Sequence, residues 1–504
     1  MLINISTFLS IPIITTLTII LTPSKNKSLI KFIALIGATL TLLCSIYFFI
    51  QYYQMAFAFN NGCKYFNLVF QEKKIWYANF GITYFVAMDG ISVLMTFMTS
   101  LVICMGVLAS WKEQKRCKEY FSLLFILVFG VLGVFVSFDL FIFFIFYELA
   151  VLPMYLLIGV WGTGKKEYAA MKLTLMLMLS STLILLGILA VYNYSPIKTF
   201  DLILLSHIRF SVDFQYWVFP CFFIGFGVLG ALYPFHTWSP DGHAAAPTAV
   251  SMLHAGVLMK LGGYGILRIA IYLLPEGAQE WCGFFMVLST INIVYGSLGA
   301  ILQKDLKYFT AYSSVSHCGF VIFGLSALNF IGFKGAVLQM FSHGIMTALF
   351  FSLIGAIYKR TKTRIIYDME GLSKIVPNLS SYFFIAGFAS LGLPGLAGFI
   401  AESYVFLGGI LNNPWVNRDC AIFVTILSIT SIVVTAVYVL RGLCQIFMGK
   451  ILNKQFFLLS DVDIYEKICS FTLISVLLVV GTFPLFFVNL IEISIMPIVN
   501  RLYL

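Results

Sequence analysis

Apolar runs of about 20 residues, long enough to cross a bilayer as helices, recur along the whole chain. Polar and charged residues fall mainly between these runs. The pattern predicts an all-α polytopic membrane protein with about fourteen transmembrane helices. The predicted spans cover residues 4–22, 29–50, 82–110, 119–137, 138–160, 169–193, 216–235, 246–273, 281–302, 308–328, 332–357, 380–409, 420–447 and 466–490.

One sizeable loop interrupts this series, at residues 51–81. Aromatic residues alternate with polar ones around "KIWYANFGITYF", which is typical of strands and predicts a hairpin. Just beyond it, Asp89 in "AMDGIS" is predicted to cap the start of span three.

Basic residues cluster in the loops that follow odd-numbered spans. They are Lys25, Lys27, Lys112, Lys115, Arg116, Lys118, Lys165, Lys166, Lys304, Lys307, Lys359, Arg360, Lys362, Arg364, Lys450 and Lys454. The loop after span seven is an exception, and the second even-numbered loop holds Lys64, Lys73 and Lys74. The positive-inside rule places the odd-numbered loops in the cytoplasm or mitochondrial matrix, and both termini on the far side.

Composition narrows the class of protein further. Of 504 residues, 61% are hydrophobic and 10% are charged, whereas about 25% is usual in soluble chains. The net charge of +10 comes from loop lysines and arginines, so it does not indicate a nucleic-acid partner. The first run, 2–21, is expected to be a retained helix and not a signal peptide. Ten cysteines contain no C-x-x-C, which argues against an iron–sulfur cluster or structural zinc.

Two spans contain helix-breaking residues. Span seven runs into "ALYPFHTWSPDGHAAAP" and span twelve contains "GLPGLAG". Broken helices at matching positions in two halves indicate inverted repeats around a transport site. Spans four to eight (119–273) and nine to thirteen (281–447) are the predicted five-helix repeats. Residues 1–118 precede them with spans one to three, and residues 448–504 follow with span fourteen and a tail.

Five ionisable residues fall near the centres of predicted spans: Glu148, Lys260, His317, His343 and Glu402. Each is about ten residues, or ~15 Å, from a helix end. A charge at that depth costs roughly 2.5–3.5 kcal/mol on insertion scales. Either histidine alone is equally well explained as a hydrogen-bonded residue between helices. Five such groups at similar depth favour a chain of protonatable sites through a wet interior.

Several motifs resemble those of one family, in the expected order. "HTWSPDGHAAAPTAVSMLHAGVLMKLGGYGILR" is similar to the H-x-W-L-P-x-A-H-x-x-A-P…LLK-x-x-x-Y-G signature of antiporter-like proton-pumping subunits. "LQKDLKYFTAYSSVSHCGFV" resembles their Q-x-D-x-K-x-x-x-A-Y-[ST]-S-[VI]-S-H segment. "YELAVLPMYLLIG", "MFSHGIMTALFF" and "LPGLAGFIAES" complete the set. The acid Glu402 favours the chain 4 type of NADH:ubiquinone oxidoreductase, respiratory complex I, over its sister chains.

The resemblance implies a role for each matched residue. Glu148 would tune the central lysine electrostatically, and Lys260 would be the central proton carrier. His317 and His343 would relay protons laterally with ordered water, and Glu402 would end the relay.

The resemblance also implies the surroundings of the chain. Its partners would be other membrane-arm subunits, including sister antiporter-like chains, together with lipids and no nucleic acid. This chain would bind no cofactor, because NADH, FMN, iron–sulfur clusters and ubiquinone would belong to partner subunits. The expected location is the mitochondrial inner membrane with termini on the intermembrane side, or alternatively a bacterial plasma membrane.

One departure from the family pattern concerns span seven. The family normally has a lysine fourteen residues before the histidine of "PDGH", and here that position is Leu229. The usual partner of the Glu148 carboxylate is therefore missing. Lys172 and His254 are the candidate substitutes, and one of them is expected near Glu148. The alternative for His254 is simple packing.

Two other functions share most of these features. One is a component of a stand-alone cation/proton antiporter. The other is a structural scaffold of the membrane arm that has lost pumping, which Leu229 suggests.

Overall fold

The computed structural model describes residues 4–58, 68–411, 413–451 and 454–503. Within this part of the chain, 12 helices are long and apolar enough to cross a membrane, and Ile5–Leu21 and Ala397–Ile410 are shorter apolar helices. The predicted all-α membrane class is confirmed.

The α-helices have the following bounds: Ile5–Leu21 (α1), Lys27–Ala58 (α2), Gly90–Ala109 (α3), Cys117–Val136 (α4), Leu140–Trp161 (α5), Lys166–Tyr194 (α6), Leu202–Ser206 (α7), Val212–Leu229 (α8), Trp238–Ala245 (α9), Thr248–Leu253 (α10), Lys260–Gly265 (α11), Pro275–Ile301 (α12), Leu306–Ser326 (α13), Phe330–Thr361 (α14), Pro377–Ser390 (α15), Ala397–Ile410 (α16), Arg418–Phe447 (α17), Ile464–Thr482 (α18) and Pro484–Leu502 (α19). The segments His254–Leu258 and Ile266–Ile271 have the wider turns of a π-helix. Together with α10 and α11 they form one continuous helical rod, Thr248–Ile271.

The predicted hairpin is present as two antiparallel strands, Val69–Tyr77 (β1) and Ile82–Met88 (β2). Gly81 ends the turn between them with φ +66°, a left-handed conformation that glycine adopts without strain. The prediction that span three begins at residue 82 is wrong, because the alternating pattern there belongs to β2. Asp89 caps α3 as predicted, since its carboxylate accepts a hydrogen bond from Ser92 N at 2.9 Å. Residues 59–67 of this loop, including Lys64, lie outside the described residues.

Both predicted interruptions are present. In the first, α8 ends at Leu229 and the chain resumes as α9 at Trp238. The freed backbone groups find partners inside the bundle. Trp238 Nε1 donates to the carbonyl of Val228 at 3.0 Å, and Tyr233 N donates to Asn292 Oδ1 at 2.9 Å. This satisfies polar backbone groups that lipid does not solvate.

The second interruption separates α15 from α16. Gly392 and Gly395 within it have φ +64° and +92°, respectively. Only glycine occupies this region freely, so the "GLPGLAG" motif encodes the break directly.

The last predicted span, 466–490, is wrong in its extent. Two helices, α18 and α19, replace it and continue to Leu502. They meet at Phe483, and Pro484 is the first residue of α19. A proline lacks the N–H that an uninterrupted helix needs, while its position at a helix start is tolerated. The hydropathy pattern does not reveal the boundary between α18 and α19, because both helices are apolar.

Burial differs sharply between helices and locates the core. Almost all of α3 and α14 is enclosed by protein, and the rod Thr248–Ile271 is entirely enclosed. In contrast, α2 and α17 are about one-third buried, 33% each. The centre of the bundle is therefore built from α3, α14 and the rod that carries Lys260.

Candidate functional site

Lys260 begins α11, immediately after the π-helical turn His254–Leu258. Its side chain is almost fully buried. The ammonium donates to the carbonyl of Ala255 in that same turn and lies 2.8 Å from His343 Nδ1. A π turn loosens the regular ladder of backbone hydrogen bonds, which leaves a carbonyl free to accept from the lysine. The local winding thus holds the ammonium inside the rod and aims it at α14.

His343 connects Lys260 to a second histidine. The rings of His343 and His317 are stacked, with centroids 5.0 Å apart and an interplanar angle of 27°. Both rings are buried, and the Nε2 atom of each lacks a hydrogen-bond partner in the described part of the chain. Buried polar atoms normally find a partner, so ordered water is expected beside these two nitrogens.

Glu402 lies at the far end of this row. Its Oε1 is 3.6 Å from His317 Nδ1. The same nitrogen is 3.1 Å from Gln339 Nε2. A neutral imidazole can accept from the amide at Nδ1, whereas an imidazolium donates there to the carboxylate. His317 Nδ1 therefore has a partner in either protonation state.

The break before α16 positions the Glu402 carboxylate. A Cβ atom on Gly392 would lie 2.6 Å from Glu402 Oε2. Gly392 thus serves two purposes, since it allows a left-handed backbone and leaves room for the carboxylate. Helix interruption and acid are parts of one local structure.

Four of the five predicted site residues therefore form one continuous row. Lys260, His343, His317 and Glu402 come from α11, α14, α13 and α16, respectively. A lysine begins the row, a carboxyl group ends it and two imidazoles lie between them. Imidazoles pass a proton from one ring nitrogen to the other, so this row has the chemistry of a proton relay.

Glu148 is not part of the row. It lies half-buried on α5. In the part of the chain that the structure describes, no ion pair or hydrogen bond involves it. Neither Lys172 nor His254 forms an ion pair or hydrogen bond with Glu148 in these residues, and the expectation that one of them lies near Glu148 stays a prediction.

Lys172 pairs with a different acid. Its ammonium lies 2.7 Å from Asp241 Oδ2, on α9 within the broken segment, and Tyr308 donates to the other oxygen at 3.0 Å. The spacing of residues along α5 and α6 does not reveal this, because Asp241 comes from a segment 69 positions away.

His254 packs inside the core, as the alternative held. Its ring lies 5.3 Å from the Trp238 ring and 4.0 Å from the His243 ring, centroid to centroid. Leu229 is fully buried at the end of α8, next to the carbonyl to which Trp238 donates.

Sequence reasoning missed two groups, one beside the row and one further along the rod. Gln339 precedes His343 by four residues, a spacing that places both on one face of α14 and that could have revealed it. Arg268 forms a fully buried ion pair with Asp89, which joins the rod to the start of α3. The sequence feature that could have revealed this ion pair is an arginine within an apolar run.

Comparisons with known proteins identify the family of the chain. The model of the family "NADH:quinone oxidoreductase/Mrp antiporter, TM" matches residues 137–435, more than half of the chain. NADH-quinone oxidoreductase subunit M of Rickettsia bellii is 34% identical over 499 residues, covering 97% of each chain. NAD(P)H-quinone oxidoreductase chain 4-2 of Synechocystis is 34% identical over 450 residues, covering 88% of this chain and 78% of the relative.

Solved structures share the fold. A chain of respiratory complex I from Thermus thermophilus with bound NADH superimposes with a TM-score of 0.86 at 25% identity, covering 98% of this chain and 99% of that one. A chain of the Mrp complex from Dietzia gives a TM-score of 0.84 at 18% identity, with 99% and 98% covered. The second likeness concerns the fold alone. The chain belongs to the NADH:quinone oxidoreductase/Mrp antiporter transmembrane family.

Proposed function

We propose that this chain is a proton-translocating subunit of the membrane arm of NADH:quinone oxidoreductase, respiratory complex I. The observation that carries the proposal is the buried row from Lys260 through His343 and His317 to Glu402. The relatives named subunit M and chain 4 of quinone oxidoreductases support the choice of complex. A stand-alone antiporter is supported only by the fold of the Mrp chain.

The transfer begins at the Lys260 ammonium, which donates its proton to His343 Nδ1 across 2.8 Å. The imidazole releases a proton at Nε2, and water beside the two Nε2 atoms carries it to His317. His317 accepts this proton at Nε2 while its own ring proton is on Nδ1, and it then donates the Nδ1 proton to the Glu402 carboxylate, 3.6 Å away in this structure. The neutral ring left behind carries its proton on Nε2 and accepts from Gln339 at Nδ1. Each step moves one proton, and no electron moves within this chain.

Energy for the transfer would come from quinone reduction elsewhere in the complex. In this proposal the subunit has no redox role of its own, and NADH, FMN, iron–sulfur clusters and ubiquinone are held by partner subunits. Glu148 is proposed to act on the row through electrostatics, since no hydrogen bond or ion pair joins it to the row in the described residues. The two segments 119–273 and 281–447 are proposed as inverted repeats that meet at this site.

The proposed membrane is the mitochondrial inner membrane, with both termini in the intermembrane space. The basic residues of the odd-numbered loops support this orientation. A bacterial plasma membrane is the alternative, and the relatives quoted above are bacterial.

Replacing Lys260 tests the function directly. In the assembled complex, Lys260→Gln removes the first donor while keeping a polar side chain of similar length. We expect fewer protons pumped per NADH oxidised, because the row loses its cation. The measurement is proton uptake by sealed vesicles alongside NADH oxidation.

Lys334→Gln is the matched control. Lys334 lies on α14 like His343, is also buried, and pairs with Glu492 at 3.7 Å outside the row. Its variant should pump normally. Unchanged pumping in Lys260→Gln would contradict the proposal and favour a scaffold without transport.

A further inference from the structure

A cavity of about 600 Å³ opens at one end of the bundle, away from the row. Four separate stretches of the chain meet there: the connection from α7 to the start of α8, the start of α12, the segment before α17 and the end of α19. All of them belong to the face that the charge pattern predicts to be poor in Lys and Arg. The residues that matter are His207, Arg209, Glu276, Trp415, Arg501 and Tyr503.

Two arginines in this cavity have no acid to balance them. None of the ion pairs in the described residues includes Arg209 or Arg501. The Nε of Arg501 is buried without a hydrogen-bond partner, and its guanidinium carbon lies 5.4 Å from the centre of the Tyr272 ring. A buried donor of this kind costs free energy unless something pairs with it.

The carboxylate in the lining does not fill this role. Glu276 accepts a hydrogen bond from Gln215 Nε2 at 2.7 Å and forms no ion pair with either arginine. The cavity therefore retains a positive charge that is open to a ligand.

Aromatic residues place the cavity at the boundary between membrane and water. The rings of Trp415 and Tyr503 are 5.2 Å apart at its rim. Beside it, Trp281 donates to the carbonyl of Tyr216 at 2.9 Å, and Trp217 is 73% exposed. Tryptophan and tyrosine concentrate at the depth of the lipid headgroups. The arginines thus lie where phosphate groups of the bilayer are found.

We propose that this cavity binds the phosphodiester of a phospholipid, with Arg501 and Arg209 as its ligands. Guanidinium groups bind phosphate oxygens through paired charge-assisted hydrogen bonds. The cavity is large enough for a headgroup, and Leu502, Ile208 and Phe210 supply apolar contacts for the glycerol and upper acyl carbons. This inference does not depend on proton transfer by the row.

Lipid retained by the purified complex tests the proposal. Arg501→Gln and Arg209→Gln remove one ligand each. After identical detergent washing, native mass spectrometry of either variant should show one phospholipid fewer per complex than the unmodified protein. Arg418→Gln is the matched control, since Arg418 is an exposed arginine at the start of α17 that does not line the cavity. Equal lipid content in all three variants would overturn the proposal.

A second measurement applies even if a variant assembles poorly. The unmodified complex is stripped of lipid and then supplied with phosphatidylglycerol, with diacylglycerol or with inorganic phosphate. Phosphatidylglycerol alone should raise the melting temperature. An equal rise with inorganic phosphate would assign the cavity to a free anion. A crosslink between residue 501 and an acidic side chain of a neighbouring subunit would show that the cavity is a contact between proteins. Either result would contradict a lipid site.

Discussion

At the scale of single residues, the immediate neighbours of each polar side chain determine its position in the site. The Glu402 carboxylate fits only because Gly392 has no side chain. The Lys260 ammonium is held by a carbonyl of its own helix and by one imidazole. His317 Nδ1 has an amide on one side and a carboxylate on the other. Each position is thus specified by a contact with one particular neighbour.

Alanine substitution of two glycines separates backbone strain from contact with the acid. Gly392→Ala and Gly395→Ala both place a Cβ on a left-handed backbone, which costs about 1–2 kcal/mol. Only Gly392→Ala also collides with Glu402, because nothing lies within 4 Å of a Cβ at Gly395. We expect both variants to lose thermal stability and Gly392→Ala alone to lose most of its proton pumping. Equal pumping in the two variants would contradict a role for the Glu402 position.

The four members of the row were predictable from sequence, whereas the surroundings of Glu148 and Lys172 were not. Four ionisable residues near span centres are unusual enough for sequence alone to single them out. The absence of an ion pair or hydrogen bond at Glu148 in the described residues could not be predicted, because α5 is apolar all round and its pattern does not show which face is inward. The Lys172–Asp241 pair depends on a chain break whose path is set by tertiary contacts.

At the scale of elements, helix ends are completed by distant parts of the chain. The carbonyl of Ala246, just after α9, accepts from Lys307, and that of Ala244 accepts from Arg364 at 2.7 Å. Cations at a helix C-terminus complement its partial negative charge. The start of α15 is completed by Asp461, which lies outside the membrane helices and 83 positions away from Asn378. These contacts connect the loops of one face.

The cap on α15 predicts a pH dependence. Burial alone would raise the pKa of Asp461, but hydrogen bonds from Asn378 N at 3.0 Å, Val462 N at 2.8 Å and Leu379 N at 3.3 Å outweigh it and lower that pKa. A lowered pKa means that the stabilisation is complete above the ordinary value of about 3.9 and is lost as the pH falls through the folded-state value.

Asp461→Asn should therefore lower stability by about 1 kcal/mol at neutral pH, because an amide has one oxygen to accept the hydrogen bonds that two carboxylate oxygens accept here. The melting-temperature difference from the unmodified complex should stay constant from about pH 8 to pH 5 and shrink below about pH 4. Asp368→Asn is a suitable control, since Asp368 is an exposed loop acid that accepts from Thr363 alone among the described side chains. A melting-temperature difference that grows as the pH falls would contradict the role of the Asp461 carboxylate as a cap of α15.

The types and order of the elements were more predictable from sequence than the residues at which they begin and end. The breaks, the hairpin and the Asp89 cap each have a local signal in proline, glycine, alternation or a capping acid. The start of span three and the division between α18 and α19 were missed, because a strand followed by a helix, or two joined helices, can share one apolar window. The boundaries of the two repeats stay a prediction.

At the scale of the whole molecule, a buried ion pair connects the hairpin end of α3 to the central rod. Asp89 accepts from Ser92 N with one oxygen and from Arg268 with the other. The guanidinium also lies over the rings of Phe138 and Tyr264, with its central carbon 5.0 and 5.5 Å from their centroids. These contacts fix the depth of the rod, and with it the depth of Lys260.

Neutralising Asp89 tests that connection. Asp89→Asn keeps a side chain that caps α3 but leaves the Arg268 charge buried without its carboxylate. We expect a loss of about 3–5 kcal/mol in stability, because an uncompensated charge remains in the core. The double variant Asp89→Asn with Arg268→Met should recover most of it. Thermal unfolding of the purified complex is the measurement, and a double variant as unstable as the single one would contradict the pairing.

The π turn at His254–Leu258 has one more consequence. Each residue of an α-helix turns the chain by about 100°, so residue number and facing direction are coupled along the rod. The number of residues in the widened turn therefore sets the direction in which the Lys260 side chain leaves the rod, and with it the helix that this side chain contacts. Deleting a single residue there would swing the ammonium about a quarter-turn away from α14 while removing none of the side chains in the row. Length within this short stretch therefore matters more than the identity of the amino acids that fill it.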